Sequence, residues 1–397
     1  MADRELVLRG GSVLDMRTGD TARADLGIRA GTVVAPADTR DPVELDVGGL
    51  TVLFGLWDCH AHPGSLMYDP GGDGYFEDVA TRTVRAGENL LEAASMGVTG
   101  VRALGEANGI DIAWARAYAS GSSPGPRLLT AGEPVRTTGG HGTAYPREHL
   151  RVHPELVVDG PVEARRAVRS LVERGADWVK LLITGGLYSE HESVDGDQFA
   201  DDELVAAMEA ARARGIPVAA HCGSSQMAQR FAELGGRSVE HGYALDEAAA
   251  AALTAAGTWL VATVGVTHDE AMMIETGWPP HAHDRAVSSA PAHAEALQAC
   301  VAAGVRIATG ADLNPIGPRL HSELAMLEKA GMSRQQVLYA ATVGGRELAG
   351  LGSQSAPEPG SAADLILVEG DPFDDLQVLR RPRAVLTFGR FVVPLTR

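Results

Sequence analysis

Residues 178–184 read Trp-Val-Lys-Leu-Leu-Ile-Thr, residues 201–214 read Asp-Asp-Glu-Leu-Val-Ala-Ala-Met-Glu-Ala-Ala-Arg-Ala-Arg, and residues 218–222 read Val-Ala-Ala-His-Cys. The first and third are short apolar runs. The second is amphipathic, opens on acidic residues and is followed by Gly215, a common helix stop. Strands apolar on both faces, joined through a helix, belong to a parallel sheet that is covered on both sides.

The same unit recurs in both directions along the chain. Strand candidates are Val52–His60, Gly97–Leu104, Arg127–Glu133, Trp178–Thr184, Val218–Cys222, Ser238–Tyr243, Thr258–Val264 and Arg306–Asp312. Helical stretches lie between them at Glu77–Ser95, Pro161–Arg174, Asp201–Arg214, Asp246–Ala256, Ala290–Ala303 and Ser333–Leu348. Eight apolar strands alternating with helices predict a closed (β/α)8 barrel of the TIM type over residues 57–352, with a doubly wound open sheet as the alternative. Residues 1–56 read instead as short antiparallel strands: Glu5–Leu8, a Gly10-Gly11 turn, Ser12–Leu14, Asp25–Ile28 and Thr32–Ala35. These are too few to stand alone. Residues 353–397 supply Ala363–Val368, Arg383–Phe388 and Phe391–Val393, so the two ends are expected to pair as one small β-sandwich.

Composition narrows the function. The 397-residue chain carries a net charge of −18, against nucleic acid or an anionic membrane as partner, since both need a basic footprint. It has no apolar run of bilayer-spanning length. The opening Met-Ala-Asp-Arg-Glu is charged where a signal peptide would be apolar. Three scattered cysteines, Cys59, Cys222 and Cys300, make no disulfide framework and fit a reducing cytosol. The expectation is a cytoplasmic enzyme acting on a small molecule, with homo-oligomerisation left open. Only two of the 34 basic residues are lysines, Lys180 and Lys329. One of them therefore sits inside an apolar strand in a chain that otherwise prefers arginine.

In such a barrel the C-terminal strand ends build the active site. His60 and His62 end strand one as His-x-His, and alternation puts both on one face. His221 ends strand five, His241 strand six and Asp312 strand eight. Each alone reads as a hydrogen-bonded strand-end residue or a turn carboxylate. Together, four imidazoles and a carboxylate at matching ends form a nitrogen/oxygen metal site. A buried ammonium at Lys180 would need an ion-pair partner or would lose its proton. An unprotonated amine can add CO2 to give an anionic carbamate that bridges two cations, which a guanidinium cannot do.

These stretches resemble the amidohydrolase superfamily, in particular its prolidase-like and imidazolonepropionase-like branch. Gly55–His62, Thr138-Gly139-Gly140-His141-Gly142, Val179–Gly186, Ala219-Ala220-His221, Val239–Gly242, Ala308–Asp312, His321–Leu324 and Ala362–Pro372 carry the likeness along nearly the whole chain. The resemblance implies two divalent metals, usually zinc. His60, His62 and Asp312 would hold one and His221 and His241 the other, with carboxylated Lys180 and a hydroxide bridging them. It makes Asp312 the general base and then acid, and His141 the group that polarises the carbonyl or steadies the oxyanion. Two positions depart from it. Arg102-Ala103-Leu104 lacks an Asp that often follows this Arg, and Cys222 stands where relatives place Ala, pointing away from the metals by alternation.

The implied reaction is amide hydrolysis of an Xaa-Pro-like dipeptide, an N-acyl amino acid or an aryl amide. Ring opening of a cyclic amide, carbamate or ester on the same site is the alternative. A non-catalytic metal-binding protein and a mononuclear lyase or isomerase rank behind both. Arg136, Tyr188 and Tyr243 are candidate substrate contacts beside His141. The loop 268–280 carries Met272, Met273 and Trp278, which read either as an apolar wall that favours bulky acyl groups or as packing on a neighbouring subunit.

Overall fold

The computed structural model describes residues 4–65, 77–142 and 156–395. The chain opens with strands β1 (Leu6–Leu14), β2 (Thr21–Arg29), β3 (Thr32–Val34), β4 (Val43–Asp46) and β5 (Thr51–Phe54). Gly10-Gly11 is not a turn. β1 runs straight through it, and the register against β2 shifts between Leu8 and Gly11, where Gly10 takes a positive φ of 74°. The glycine supplies a bulge that bends the strand. On one side of the bulge β1 pairs in parallel with β4, and on the other with β5.

The expected single strand Val52–His60 is two. It breaks at Gly55, where a Cβ would lie 2.1 Å from Thr99 Cγ2. β5 stays with the terminal sheet, whereas β6 (Leu56–Ala61) pairs in parallel with β7 (Val98–Ala103), which pairs with β8 (Arg127–Thr130). A short parallel pair follows, β9 (Arg136–Thr137) with β10 (Val157–Val158). A five-stranded parallel sheet comes next, in sequence order: β11 (Val179–Leu182), β12 (Val218–Cys222), β13 (Ser238–His241), β14 (Trp259–Val261) and β15 (Arg306–Ile307).

Main-chain hydrogen bonds join the three- and five-stranded sheets at both seams. Trp178 N donates to Thr130 O at 2.9 Å between β8 and β11. On the other side Cys59 N donates to Thr309 O at 2.8 Å and Asp312 N to His60 O at 2.7 Å. Helices connect the strands, and their ends follow local chemistry. Asp78, Ser224 and Asp246 cap first turns by accepting from Thr81 N, Met227 N and Ala249 N, while Gly175 and Gly257 stop helices in the left-handed conformation.

Two helical expectations are revised. Residues 268–280 are not an open loop: Gly265–His268 and Glu270–Glu275 are helical, and Pro280–Ala302 is one helix of 23 residues running through Pro291. Ser333–Leu348 is three pieces, Arg334–Tyr339, a π-turn at Ala340–Gly344, and Gly345–Leu348. A Cβ on Gly345 would come within 2.2 Å of Trp57 Cβ, so this turn packs directly against β6.

The tail returns as β16 (Leu365–Val368), β17 (Ala384–Thr387) and β18 (Arg390–Val393). The two chain ends pair as expected, but their described strands form one sheet, β18-β17-β16-β5-β1-β2-β3 with β4 on β1, rather than the two facing sheets of a sandwich. One apolar cluster spans this sheet and the helices, and a second, built on Trp57, Trp178 and Trp259, lies between the parallel strands. Arg102 and Arg306 stack on Trp178 and Trp259 at 4.5 and 4.7 Å from the ring centroids. No helix among the described residues is long and apolar enough to cross a membrane.

Candidate metal centre

His60, in β6, and Asp312, just past β15, meet across the seam that their own main chains close. His60 Nε2 lies 3.5 Å from Asp312 Oδ1 and 3.5 Å from Lys180 Nζ. His62 Nε2 lies 2.9 Å from the same carboxylate oxygen. His241, at the end of β13, has its ring 4.9 Å from that of His60 and 4.4 Å from that of His221, at the end of β12. One ligand atom from each of His60, His241 and Asp312 can be chosen so that all lie within 4.8 Å of one another. All six residues expected to hold metal are therefore neighbours. The tightest trio draws from both of the expected ligand groups rather than one.

One nitrogen of each imidazole lies within 3.0 Å of a protein oxygen, hydrogen-bonded in His62, His221 and His241 but not at His60 Nδ1. His60 Nδ1 is 3.0 Å from Glu240 Oε2, His62 Nδ1 is 2.9 Å from Gly105 O, His221 Nε2 is 2.9 Å from Gly185 O, and His241 Nδ1 is 2.7 Å from Thr263 Oγ1. A carbonyl only accepts, so Nδ1 of His62 and Nε2 of His221 carry protons, whereas the Thr263 hydroxyl can donate or accept and does not set the His241 tautomer. At His221 this leaves Nδ1 with a lone pair, and the donor set of imidazole nitrogen and carboxylate oxygen suits zinc or a similar divalent ion. The residues present fit the group.

Electrostatics point the same way. Burial drives the imidazoles of His221 and His241 well below their ordinary range and His60 to about 4, so they are neutral near pH 7. Burial also lowers the Lys180 ammonium to about 8, although Glu240 and Asp312 pull it up. Burial pushes the Asp312 carboxyl up, but the hydrogen bond from His62 and the neighbouring Lys180 ammonium outweigh it, so the group is ionised.

The backbone is bent to this purpose. His241, Thr263 and Asp312, at or just past the ends of β13, β14 and β15, have positive φ values of 70°, 49° and 56°. Left-handed backbone costs a non-glycine residue about 1–2 kcal/mol, and such strain gathers where side chains must be aimed. At His241 it overrides strand alternation: Glu240 and His241 are consecutive, yet the first meets His60 and the second meets the rings of His60 and His221.

Several residues of the site were not singled out in the sequence. Glu240 is fully buried. It accepts from Arg102 Nη2 at 2.9 and 3.1 Å and from Ser238 Oγ at 2.6 Å, and faces His60. Arg102 in turn donates through Nε to Cys59 O at 2.6 Å. Asp58 Oδ1 accepts from His60 N at 3.0 Å and Ala311 N at 3.2 Å, tying two ligand-bearing segments together. The available signal was charge inside apolar strands, the same one that marked Lys180. Cys222 packs in the main apolar cluster, away from the imidazoles as alternation predicts.

His141 stacks on His221 with centroids 4.1 Å apart, placing it beside the metal ligands. Its Nδ1 is 2.8 Å from Glu192 Oε2, and its N–H donates to Gln198 Oε1 at 2.7 Å. Tyr243 is buried, with its ring parallel to His241 at 5.0 Å. Arg136 is buried on β9 and donates to Gly142 O at 2.6 Å. Tyr188 meets Trp278 edge-on at 6.3 Å, on the rim rather than against the imidazoles. Met272 and Met273 are buried in one apolar cluster with Leu187, Tyr243, Val266 and Leu313.

Known proteins carry the same architecture. The chain is 29% identical over 363 residues to ochratoxinase of Aspergillus niger, covering 84% of this chain and 73% of that protein. It is 26% identical over 374 residues to imidazolonepropionase of Rhizobium rhizogenes, covering 85% and 83%. A solved Xaa-Pro dipeptidase with methionine bound in its active site superposes with a TM-score of 0.87 at 27% identity, over 98% of this chain and 99% of that one. The architecture is that of a TIM barrel with a second domain. With residues 51–389 matching the amidohydrolase family, this chain belongs to that family.

Proposed function

We propose that this amide-bond hydrolase works at a binuclear centre held by His60, His62, Lys180 as its carbamate, His221, His241 and Asp312, within a (β/α)8 barrel of residues 57–352 whose flanking ends, 1–56 and 353–397, form one small β domain. The observation that carries the reading is the convergence of four imidazoles, a carboxylate and a buried amine: His60 Nε2 and His62 Nε2 face the same Asp312 oxygen at 3.5 and 2.9 Å, His60 Nε2 lies 3.5 Å from Lys180 Nζ, and the His241 ring lies 4.9 Å from that of His60 and 4.4 Å from that of His221. When bound, the divalent cations supply an acidified water and a polarised carbonyl.

The remaining work falls to the chain. Asp312, ionised and 2.9 Å from His62, accepts the proton of the attacking water and returns it to the leaving nitrogen. His141, stacked at the edge of the imidazole cluster, steadies the negative charge that develops on the carbonyl oxygen. Met272, Met273, Leu187 and Val266 line the acyl side. They favour N-acyl amino acids and dipeptides with an apolar or aromatic acyl part, and Arg136 is a candidate clamp for the carboxylate of the leaving amino acid. The similarities to ochratoxinase and to an Xaa-Pro dipeptidase support a substrate of this kind.

The test is elemental analysis of protein purified without chelator, followed by assay of N-acetyl- and N-benzoyl-amino acids, Xaa-Pro dipeptides and a lactam. Close to two metal equivalents with turnover of a linear amide is the expected result. One equivalent would refute the binuclear centre, and turnover of the lactam alone would move the assignment to ring opening.

A further inference from the structure

His141 lies outside the imidazole cluster proper, and the segment after β11 holds it from two sides. Gln198 Oε1 accepts its main-chain N–H at 2.7 Å, and Glu192 Oε2 sits 2.8 Å from its Nδ1. The same Oε2 accepts Gly186 N–H at 2.9 Å. The Glu192 side chain is only 4% exposed. Burial pushes its carboxyl up, but the hydrogen bonds from His141 Nδ1 and the Gly186 N–H bring it below the usual carboxylate range. An ionised carboxylate only accepts, so Nδ1 of His141 carries the proton and Nε2 is the nitrogen left for other partners.

The seat is shaped for the ring. A Cβ on Gly186 would fall 2.1 Å from His141 Cε1, 2.5 Å from Nδ1 and 2.8 Å from Nε2, so any side chain there would displace the imidazole. The segment is itself anchored from the helix Pro280–Ala302. Arg285 donates to the carbonyls of Gly186 at 3.3 Å, Leu187 at 3.0 Å, Ser189, and Glu190 at 3.3 Å. His281 Nε2 donates to Tyr188 O at 2.8 Å. Five polar contacts thus fix the backbone that carries Glu192, and Glu192 fixes the ring.

We propose that Glu192 is a positioning residue that holds His141 in the Nδ1–H form with Nε2 free to face the substrate, and that Gly186 is the space that makes this orientation possible. The effect on turnover rests on the role given to His141 above; the tautomer does not.

The experiment compares wild type, Glu192→Ala and Glu192→Gln as metal-loaded proteins. Histidine is 15N-labelled, and the His141 signals are assigned by their loss in His141→Asn. A Gln Oε1 can accept from both Nδ1–H and Gly186 N–H, so Glu192→Gln is the rescue variant. Wild type and Glu192→Gln should show His141 protonated at Nδ1. Glu192→Ala should shift it towards protonation at Nε2, with unchanged metal content, and should lower kcat by about 10–100-fold with KM changed less than about threefold. Gly186→Ala, which leaves Glu192 in place, should move the same signals. An Nδ1–H pattern in Glu192→Ala identical to wild type would overturn the proposal. A shifted tautomer with full kcat would leave the positioning role standing and remove His141 from the reaction.

Discussion

Two residues, Gly105 and Asp312, show how narrowly the ligand side chains are held. His62 can donate to Gly105 O only because position 105 lacks a Cβ, which would lie 2.8 Å from His62 Cε1. Gly105→Ala is expected to turn the ring and weaken metal binding by about 10–100-fold while the barrel still folds, as a competition titration with a chelating dye would read. Asp312 occupies left-handed backbone that Asn also tolerates. Asp312→Asn should therefore keep the circular dichroism spectrum and thermal midpoint within a few degrees while kcat falls by about 10²–10⁴-fold. Retained turnover would remove Asp312 from proton transfer. Lys180→Arg tests the carbamate, since guanidinium cannot bind CO2. Its expected outcome is loss of at least one metal equivalent by elemental analysis, and full occupancy would refute the bridge.

At the scale of elements, β13 and the helical insertion after β14 bear on the proposed site in different ways. β13 contributes Ser238, Glu240 and His241 within four residues, so one strand both faces His60 on β6 and carries a candidate ligand of its own. The insertion packs Met272, Met273 and Trp278 against Tyr243 and Leu187. Under the proposed substrate class, Trp278→Ala should lower kcat/KM for N-benzoyl substrates by about tenfold and leave N-acetyl substrates within about twofold, because only the larger acyl group reaches the wall. Equal loss on both would place Trp278 in folding rather than selection. This is also where the sequence reading stopped. Alternation and helical periodicity located the strands and picked out His60, His62, His221, His241 and Asp312, which the fold brings together. They did not show the helices within 268–280, whose Gly277, Pro279 and Pro280 lie between Glu270–Glu275 and the long helix that Pro280 opens. Glu192, Glu240 and Arg102 were passed over for a different reason. Each has its meaning only in a partner brought from 43 to 138 residues away, and periodicity carries no such information.

For the whole molecule, the fit between the floor of the barrel and the helices beneath it sets stability. Trp57 fills the space left by two glycines: a Cβ at Gly100 would lie 2.1 Å from its Cε2, and one at Gly345 2.2 Å from its Cβ. Gly345→Ala is expected to cost about 1–3 kcal/mol by overpacking, seen as a lower midpoint in thermal or urea unfolding, without altering the metal stoichiometry of the folded fraction. The pairing of both chain ends was legible because neither had strands enough for a sheet of its own. The bulge at Gly10 and the break at Gly55 were not, since each depends on which neighbour the strand meets.

The seam between β6 and the segment after β15 has a consequence for how the molecule comes into being. His60 emerges early in translation, and Asp312 follows it by about 250 residues, on the order of 10–50 s later at ordinary elongation rates. Until that last stretch arrives and its amide reaches the His60 carbonyl, the earliest ligands have no partner across the seam. A chain cut short before residue 312 would lack the carboxylate altogether. Under the proposed centre, metal uptake should thus report that synthesis has run past residue 312 and that the segment after β15 has met β6.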